Sequence, residues 1–235
     1  MTIRPLLAPL LGLGLLLGTP AVLAATPGAF TATYNVSQGG EPTGVATVTL
    51  RAAGNGEWVY SKSVKSTGGL AAMLGASLAE SSRFRWKGNV PEAVSYDYQL
   101  QSGIKNKQRR MTVDWASKQV TVDEGKGPQT YPASPGMVER NTTSLALGLA
   151  LRDGKQQIEL PVAVRQQVQT QSFKVTGKEA VKVPAGSFNA ERIDRTDAER
   201  GFSAWYAPGR YPLPVKLSQH DGGDIVMELV SYRPQ

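Results

Sequence analysis

The sequence predicts an all-β protein in which short strands form a large antiparallel curled sheet, arranged as an open barrel or a sandwich, with two short helices. Two features of the 235 residues lead to this prediction. Apolar and polar residues alternate along most of the chain, which is typical of strands that are buried on one face. Stretches rich in Gly, Pro, Asn and Asp separate the alternating segments at short intervals, as tight turns between strands require.

The first 24 residues have the composition of a secretory signal peptide. Arg4 provides a positive start, an apolar run from Leu6 to Leu17 follows, and small residues lead to Ala24. Cleavage is therefore expected after Ala24, which leaves residues 25–235 as a single β-rich periplasmic domain. No later apolar stretch approaches the length that a membrane-spanning helix needs.

The alternation marks the strands in chain order. Six segments show it most clearly, and their first large apolar residues are Phe30, Trp58, Val94, Met111, Phe173 and Ile225. Turn-forming residues separate such segments at 38–42, 53–56, 87–91, 101–106, 124–128 and 221–224. We expect these turns to join neighbouring antiparallel strands.

Two Ala- and Leu-rich segments depart from the alternation. Residues 69–78 and 142–152 are each predicted to form a short helix, the second with Asn141 or Thr142 at its N-cap. Both helices would plug or cover the open sheet. Residues 133–140 hold Pro and Gly, and we interpret them as a connection inside one domain.

The chain contains no cysteine and has a formal net charge of +7. The lack of cysteine excludes disulfides, thiolate catalysis, thiolate metal sites and lipid attachment at an N-terminal cysteine. An exported chain without disulfides fits a Gram-negative periplasm best. The positive charge favours anionic surfaces, which outside the cytoplasm are phospholipid head groups, lipopolysaccharide or cell-wall polymers rather than nucleic acid.

The sequence offers little for catalysis or metal binding. His220 is the single histidine, and it lies with Asp221 and Asp224 in a predicted turn, where polar residues are common without a catalytic role. The segment from Gly75 to Ala79 departs from a nucleophile elbow at its last position. We therefore expect a protein that is not an enzyme and that uses no metal or cofactor.

A run of basic residues leads into an apolar strand. Alternate residues of a strand point to one side, so a basic pair at its start would share a face with the apolar residues that follow. Together with the strand expected to face it, the predicted ligand-binding residues are Tyr96, Tyr98, Lys107, Arg109, Met111, Val113 and Trp115. They would form an apolar cavity with a cationic mouth, suited to an acyl chain and its phosphate or carboxylate head group. The alternative is that the basic residues are only the solvated end of a hairpin.

Several short motifs resemble an exported bacterial family. They are Val-Pro-Ala-Gly-Ser-Phe-Asn-Ala at 183–190, Trp-Tyr-Ala-Pro at 205–208, Leu-Pro-Val-Lys-Leu at 213–217, the early strands with Tyr34, Gly44 and Leu50, and Ser82-Arg83-Phe84. On these motifs the chain resembles the domain of unknown function 3108 (DUF3108) from Phe30 to Tyr232. The resemblance implies a periplasmic β-rich domain and supplies no activity, ligand or catalytic residue.

Three classes of function remain open from the sequence. The first is a periplasmic, non-catalytic protein that binds or carries an amphiphilic anion such as a lipid. The second is a cell-envelope assembly factor that contacts another protein through exposed sheet edges. The third, a hydrolase of cell-wall or lipid material, is the weakest, because no catalytic residues converge in the sequence.

Overall fold

The computed structural model describes residues 26–68, 72–73, 75–103, 106–198, 201–220 and 224–235, so the expected signal peptide lies outside the described residues. The described residues form fifteen strands in one sheet and the helix α1 (Thr143–Arg152). In chain order the strands are β1 (Phe30–Gln38), β2 (Glu41–Gly54), β3 (Glu57–Ser66), β4 (Ser77–Lys87), β5 (Val90–Gln101), β6 (Lys107–Asp114), β7 (Gln119–Asp123), β8 (Pro128–Pro132), β9 (Val138–Glu139), β10 (Gln157–Ala163), β11 (Val168–Val183), β12 (Gly186–Arg195), β13 (Phe202–Tyr206), β14 (Pro214–Gln219) and β15 (Ile225–Pro234).

The first and last strands pair at the middle of the sheet. The order across the sheet is β8-β7-β6-β5-β4-β3-β2-β1-β15-β14-β13-β12-β11-β10-β9. Strands from the middle of the chain therefore form its two edges. Among the described strands, β9 and β10 are the one parallel pair, and α1 lies between them in the chain.

The two edges of the sheet approach each other without forming a ladder in the described part of the chain. The backbone N–H of Ala93 in β5 donates to the carbonyl oxygen of Met137, beside β9, at 2.9 Å. The hydroxyl of Tyr131 in β8 donates to the carbonyl oxygen of Val164, just after β10. The sheet is thus curled into a barrel-like shape that stays unclosed.

Helix α1 lies inside this curled sheet. Every residue from Leu145 to Leu151 is buried. Leu145 and Leu149 pack in the apolar cluster that contains Phe30, whereas Leu147 and Leu151 pack in a second cluster with residues of β10, β11, β12 and β13. The helix needs no polar stripe along these residues, because strands surround it on both sides.

The all-β prediction is confirmed, as is the helix predicted at 142–152. The sheet curls on itself as an open barrel does, and it does not divide into the two layers of a sandwich. In the described part of the chain, no helix is both long enough and apolar enough to cross a membrane.

The helix predicted at 69–78 needs a correction at its end. Ser77 and Leu78 begin strand β4, where Ser77 pairs with Lys65 of β3. Residues 72–73 are helical, whereas residues 69–71 and 74 lie outside the described residues. Strand pairing on both sides of β4 therefore overrides the helix propensity of this Ala- and Leu-rich segment.

Candidate functional site

A cavity of about 560 Å³ lies between the N-terminal end of α1 and the inner face of the curled sheet, and it is partly open to solvent. We call it the central cavity. Its apolar wall includes Val48 of β2, Val162 of β10, Phe173 of β11, Leu217 of β14 and Met227 of β15. Its polar wall includes Tyr60, Lys62, Arg140, Asn141, Thr143, Ser144 and Arg195. Of the described residues that line it, three are basic and none is acidic.

The polar wall is built around the buried carboxylate of Glu139, at the end of β9. Glu139 is 1% exposed, and its two carboxylate oxygens accept the backbone N–H groups of Asn141 at 2.8 Å and Thr142 at 3.0 Å. Burial raises the pKa of Glu139, while hydrogen bonds from the Ser82 side chain, the Asn141 backbone and the Thr142 side chain oppose the shift. Glu139 thereby fixes the turn that leads into α1 and places Arg140 and Asn141 at the cavity.

Asn141 is the second buried polar group of this wall, at 4% exposure. Its Nδ2 atom donates to the hydroxyl of Ser82 at 2.9 Å and to the carbonyl oxygen of Tyr60 at 3.3 Å. Its Oδ1 atom has no hydrogen-bond partner among the described residues. The sequence suggested Asn141 or Thr142 as an N-cap. Thr142 is the N-cap residue, but it makes no side-chain capping hydrogen bond.

An inward-facing ion pair joins β3 to β4 beside the cavity. Lys62 pairs with Glu80, which is 4% exposed, and the Tyr96 hydroxyl donates to Oε1 of Glu80 at 2.6 Å. Burial alone would raise the pKa of Glu80, but the charge and hydrogen bond of Lys62 and the hydrogen bond from Tyr96 together lower it. Burial and the neighbouring Glu80 raise the pKa of Tyr96. Glu80 is therefore ionised at neutral pH and balances the charge of Lys62.

The predicted ligand-binding residues lie on one inner face, as their alternation requires. Tyr96 pairs with Met111 and Tyr98 pairs with Arg109 across β5 and β6, and no bulge interrupts this pairing. Tyr96 and Met111 are buried in a third apolar cluster, with Tyr98, Val113 and Trp115 packed against it. The indole N–H of Trp115 donates to the carbonyl oxygen of Ala93 at 2.9 Å.

None of these seven residues lines the central cavity in the described structure. The apolar members fill their side of the sheet by packing against one another and against β7 and β8. Arg109 pairs with Glu124 and lies over the ring of Tyr98, with its guanidinium carbon 5.9 Å from the ring centroid. Lys107 is exposed at the end of β6. The role of these seven residues in ligand binding remains a prediction, because the central cavity is lined by other residues.

A row of charged residues connects the two regions. Lys62, Glu80, Tyr98 and Arg109 face one another in turn across β3, β4, β5 and β6. Glu124 continues the row, because it pairs with both Arg109 and Arg165. The charges of Arg140, Arg109 and Arg165 all oppose the rise that burial and Glu80 cause in the pKa of Tyr98, so these groups lie near one another. We call Lys62, Arg109, Arg140 and Arg165, with Glu80 and Glu124, the basic rim.

Sequence reasoning missed Lys62, Glu139 and Arg140 as candidate site residues. The sequence could have identified Lys62, because it occupies an inward position between Tyr60 and Val64 in the alternation of β3. A charged side chain at such a position needs a partner or a function. Glu139 and Arg140 had no comparable signal, because they lie in an irregular connection.

The described residues contain no candidate metal centre. No group of three or more His, Asp or Glu side chains among them is arranged to hold a metal ion. His220 lies 2.5 Å from Asp224, measured from Nδ1 to Oδ1, and both side chains are exposed.

One solved structure has a similar fold. A crystal structure described as a β-barrel-like protein of domain of unknown function DUF1849 from Brucella abortus matches 90% of this chain and 100% of its own, with a TM-score of 0.57 and 9% identity. A lipoprotein candidate from Parabacteroides distasonis matches 88% of this chain and 96% of its own, with a TM-score of 0.31 and 10% identity. The first similarity supports the fold alone. No curated protein matches the chain.

The family resemblance noted in the sequence is confirmed by a family match. Residues 33–230 match the family described as protein of unknown function (DUF3108). This range includes most of the sheet, α1 and the residues that form both walls of the central cavity. The chain therefore belongs to the DUF3108 family.

Proposed function

We propose that this chain is a non-catalytic protein of the bacterial periplasm that binds an amphiphilic anion in the central cavity. The observation that carries the proposal is the composition of the cavity wall. Apolar side chains face a polar wall that contains three basic residues and no acidic residue among those described. A hydrocarbon chain would lie along the apolar wall, and its anionic head group would lie at the basic one.

The size of the cavity supports a small ligand. Its volume of about 560 Å³ lies within the roughly 300–1,000 Å³ that is usual for small-molecule sites. The cavity is also partly open, so a ligand has a path of entry.

The use of the nearby polar groups supports a binding role over a catalytic one. A general acid or base must reach the substrate, and a nucleophile needs a base within hydrogen-bond distance. Glu139 is occupied by two backbone N–H groups, and Glu80 by Lys62 and Tyr96. Neither carboxylate lines the cavity.

The alternative role, assembly with an envelope protein through a free strand edge, has less support. Edge strand β8 begins at Pro128 and ends at Pro132. Proline has no backbone N–H to donate, and it is a common device that blocks the addition of a further strand. The other edge strand, β9, contains two residues.

Two variants on one strand test the cavity as the binding site. Met227 of β15 lines the cavity, whereas its neighbour Val226 points to the opposite face. We expect Met227→Trp to fill the cavity and weaken binding of decyl phosphate at least tenfold. Val226→Trp should bind as the parent does.

The measurement is isothermal titration calorimetry on delipidated protein, with thermal unfolding of each variant as a check that it is folded. Native mass spectrometry of protein from its own periplasm would identify a retained ligand. A parent protein that binds neither decyl phosphate nor decyl sulfate would refute the proposal. If Met227→Trp binds as tightly as the parent, the ligand binds outside the central cavity.

The proposed location is tested separately. Intact-mass measurement of the protein released by osmotic shock should give the mass of residues 25–235. A mass that includes the Leu6 to Leu17 segment, or absence of the protein from the released fraction, would contradict export with cleavage.

A further inference from the structure

We infer that the ligand of the central cavity is a phosphate monoester with a hydrocarbon chain, and that Arg140 and the neighbouring basic rim hold its doubly charged head group. This inference rests on the proposed function and adds the chemical class of the head group. It depends on the charge balance of the basic rim and on the position of Arg140 at the cavity.

The basic rim contains more positive than negative charge. Glu80 balances Lys62, and the single carboxylate of Glu124 is shared by Arg109 and Arg165. Arg140 forms no ion pair with any other described residue. Within the basic rim four cations thus face two carboxylates, and the buried carboxylate of Glu139 precedes Arg140 in the chain, so the described residues around this wall keep a net positive charge.

The unbalanced charge adjoins the cavity. Arg140 lines the cavity directly and is exposed enough to contact a ligand. It immediately precedes the turn into α1, a helix of ten residues with no acidic residue in its first turn and no side-chain cap. Next to it, buried Asn141 lines the same wall, and its Nδ2 atom donates to Ser82 and to the carbonyl oxygen of Tyr60.

A net positive charge beside the cavity favours a doubly charged head group over a singly charged one, because the second negative charge adds a further attraction. The second dissociation of a phosphate monoester has a pKa near 6, so at pH 8 the head group carries close to two negative charges. A sulfate monoester has the same tetrahedral shape and one charge. Two charges 4 Å apart interact with about 1 kcal/mol in water and more near a protein surface, so the extra charge should be worth about tenfold in affinity.

The test compares decyl phosphate with decyl sulfate at pH 8, each below its micelle concentration, by calorimetry on delipidated full-length mature protein. We expect the parent to bind decyl phosphate about tenfold more tightly than decyl sulfate. Arg140→Gln should reduce this ratio to about threefold or less. Arg51→Gln is the matched control, because Arg51 is exposed on the outer face of β2, next to inward-facing Leu50, and should keep the ratio of the parent.

The outcomes separate this inference from the proposed function. If both amphiphiles bind the parent with equal affinity, or if Arg140→Gln keeps the full preference, the head-group assignment is wrong while the cavity remains a binding site. If neither amphiphile binds, the proposed function itself fails. If inorganic phosphate displaces the bound ligand as effectively as decyl phosphate does, the site recognises free phosphate, and the assignment to an amphiphile is overturned.

Discussion

Replacing Gly148 with alanine measures how tightly α1 is held inside the curled sheet. A Cβ atom at this position would lie 2.1 Å from the carbonyl oxygen of Pro212 and 3.1 Å from Cε1 of Tyr206. The first contact is with backbone, so no change of side-chain rotamer relieves it. Either α1 or the segment that contains Pro212 must move.

The expected cost combines two opposing effects. Overpacking a well-packed core costs about 1–3 kcal/mol, and more where backbone must shift. Alanine instead of glycine inside a helix recovers up to about 1 kcal/mol. Because the contact at Gly148 involves backbone, we expect Gly148→Ala to lower the free energy of unfolding by about 2–3 kcal/mol, or the Tm by roughly 4–12 °C.

Urea and thermal unfolding, followed by circular dichroism and tryptophan fluorescence, provide the assay. Gly209→Ala is the matched control, because no atom lies within 4 Å of the Cβ position there and the φ angle is outside the left-handed range. Its stability should stay within about 0.5 kcal/mol of the parent. Gly148→Ala protein with the stability of the parent would refute the close approach of α1 to Pro212.

Three further substitutions test the contacts around the site. Lys62→Met leaves the buried carboxylate of Glu80 unpaired and should cost about 3 kcal/mol at pH 8. The paired carboxylate has a pKa below the ordinary 4.5, so its stabilisation of the parent is present above that pH and is lost as the pH falls through the lowered pKa. Unpaired Glu80 takes up a proton more easily, so the loss in Lys62→Met should shrink towards pH 5, and an equal loss in urea unfolding at both pH values would contradict the pairing. Trp115→Phe removes an indole hydrogen bond to a β5 carbonyl and should cost about 1–2 kcal/mol in the same assay, whereas a loss below 0.5 kcal/mol would show that this bond does not stabilise the fold. Tyr131→Phe removes the hydrogen bond to Val164 and should cost about 1 kcal/mol while it speeds amide hydrogen exchange in β8 and β9, and unchanged exchange there would show that the two edges are held by other contacts.

Local alternation was sufficient to predict six of the fifteen strands, β1, β3, β5, β6, β11 and β15, and part of their pairing. The sequence placed Tyr96 and Tyr98 opposite the strand of Met111, and the structure pairs Tyr96 with Met111 and Tyr98 with Arg109. Side-chain direction follows from a period of two, so the shared face can be inferred from the two segments, whereas the register and the absence of a bulge come from the structure.

Alternation cannot tell filled space from open space. Tyr96 and Met111 pack in a solid cluster, whereas Val48 and Phe173, on equally alternating strands, border the central cavity. The difference depends on the curvature of the sheet and on where α1 crosses it, and both arise from contacts between residues far apart in the chain. Arg140 enters the site for the same reason, since Glu139 fixes a turn that no sequence period describes.

The pairing of β1 with β15 requires a longer loop closure than any other strand pair among the described residues. Every other antiparallel pair among the described strands joins consecutive strands, so each can form from nearby segments as the chain collapses. β1 and β15 instead meet from Phe30 opposite Pro234 to Gln38 opposite Ile225, and this pairing must close nearly the whole chain into one loop. The entropic cost of closing a loop grows only logarithmically with its length, by about 0.6 kcal/mol for each doubling. The long loop therefore lowers the free energy of unfolding only slightly, whereas it slows folding more. The backbone N–H of Gln235 also donates to the carbonyl oxygen of Ala29 at 2.9 Å. A short link between these points, with the chain reopened at residues 133–136, would turn the antiparallel part of the sheet into one uninterrupted meander from β10 to β8. The seam of this fold therefore lies at the centre of its sheet, where β1 and β15 join two sets of strands that each pair with near neighbours in the chain.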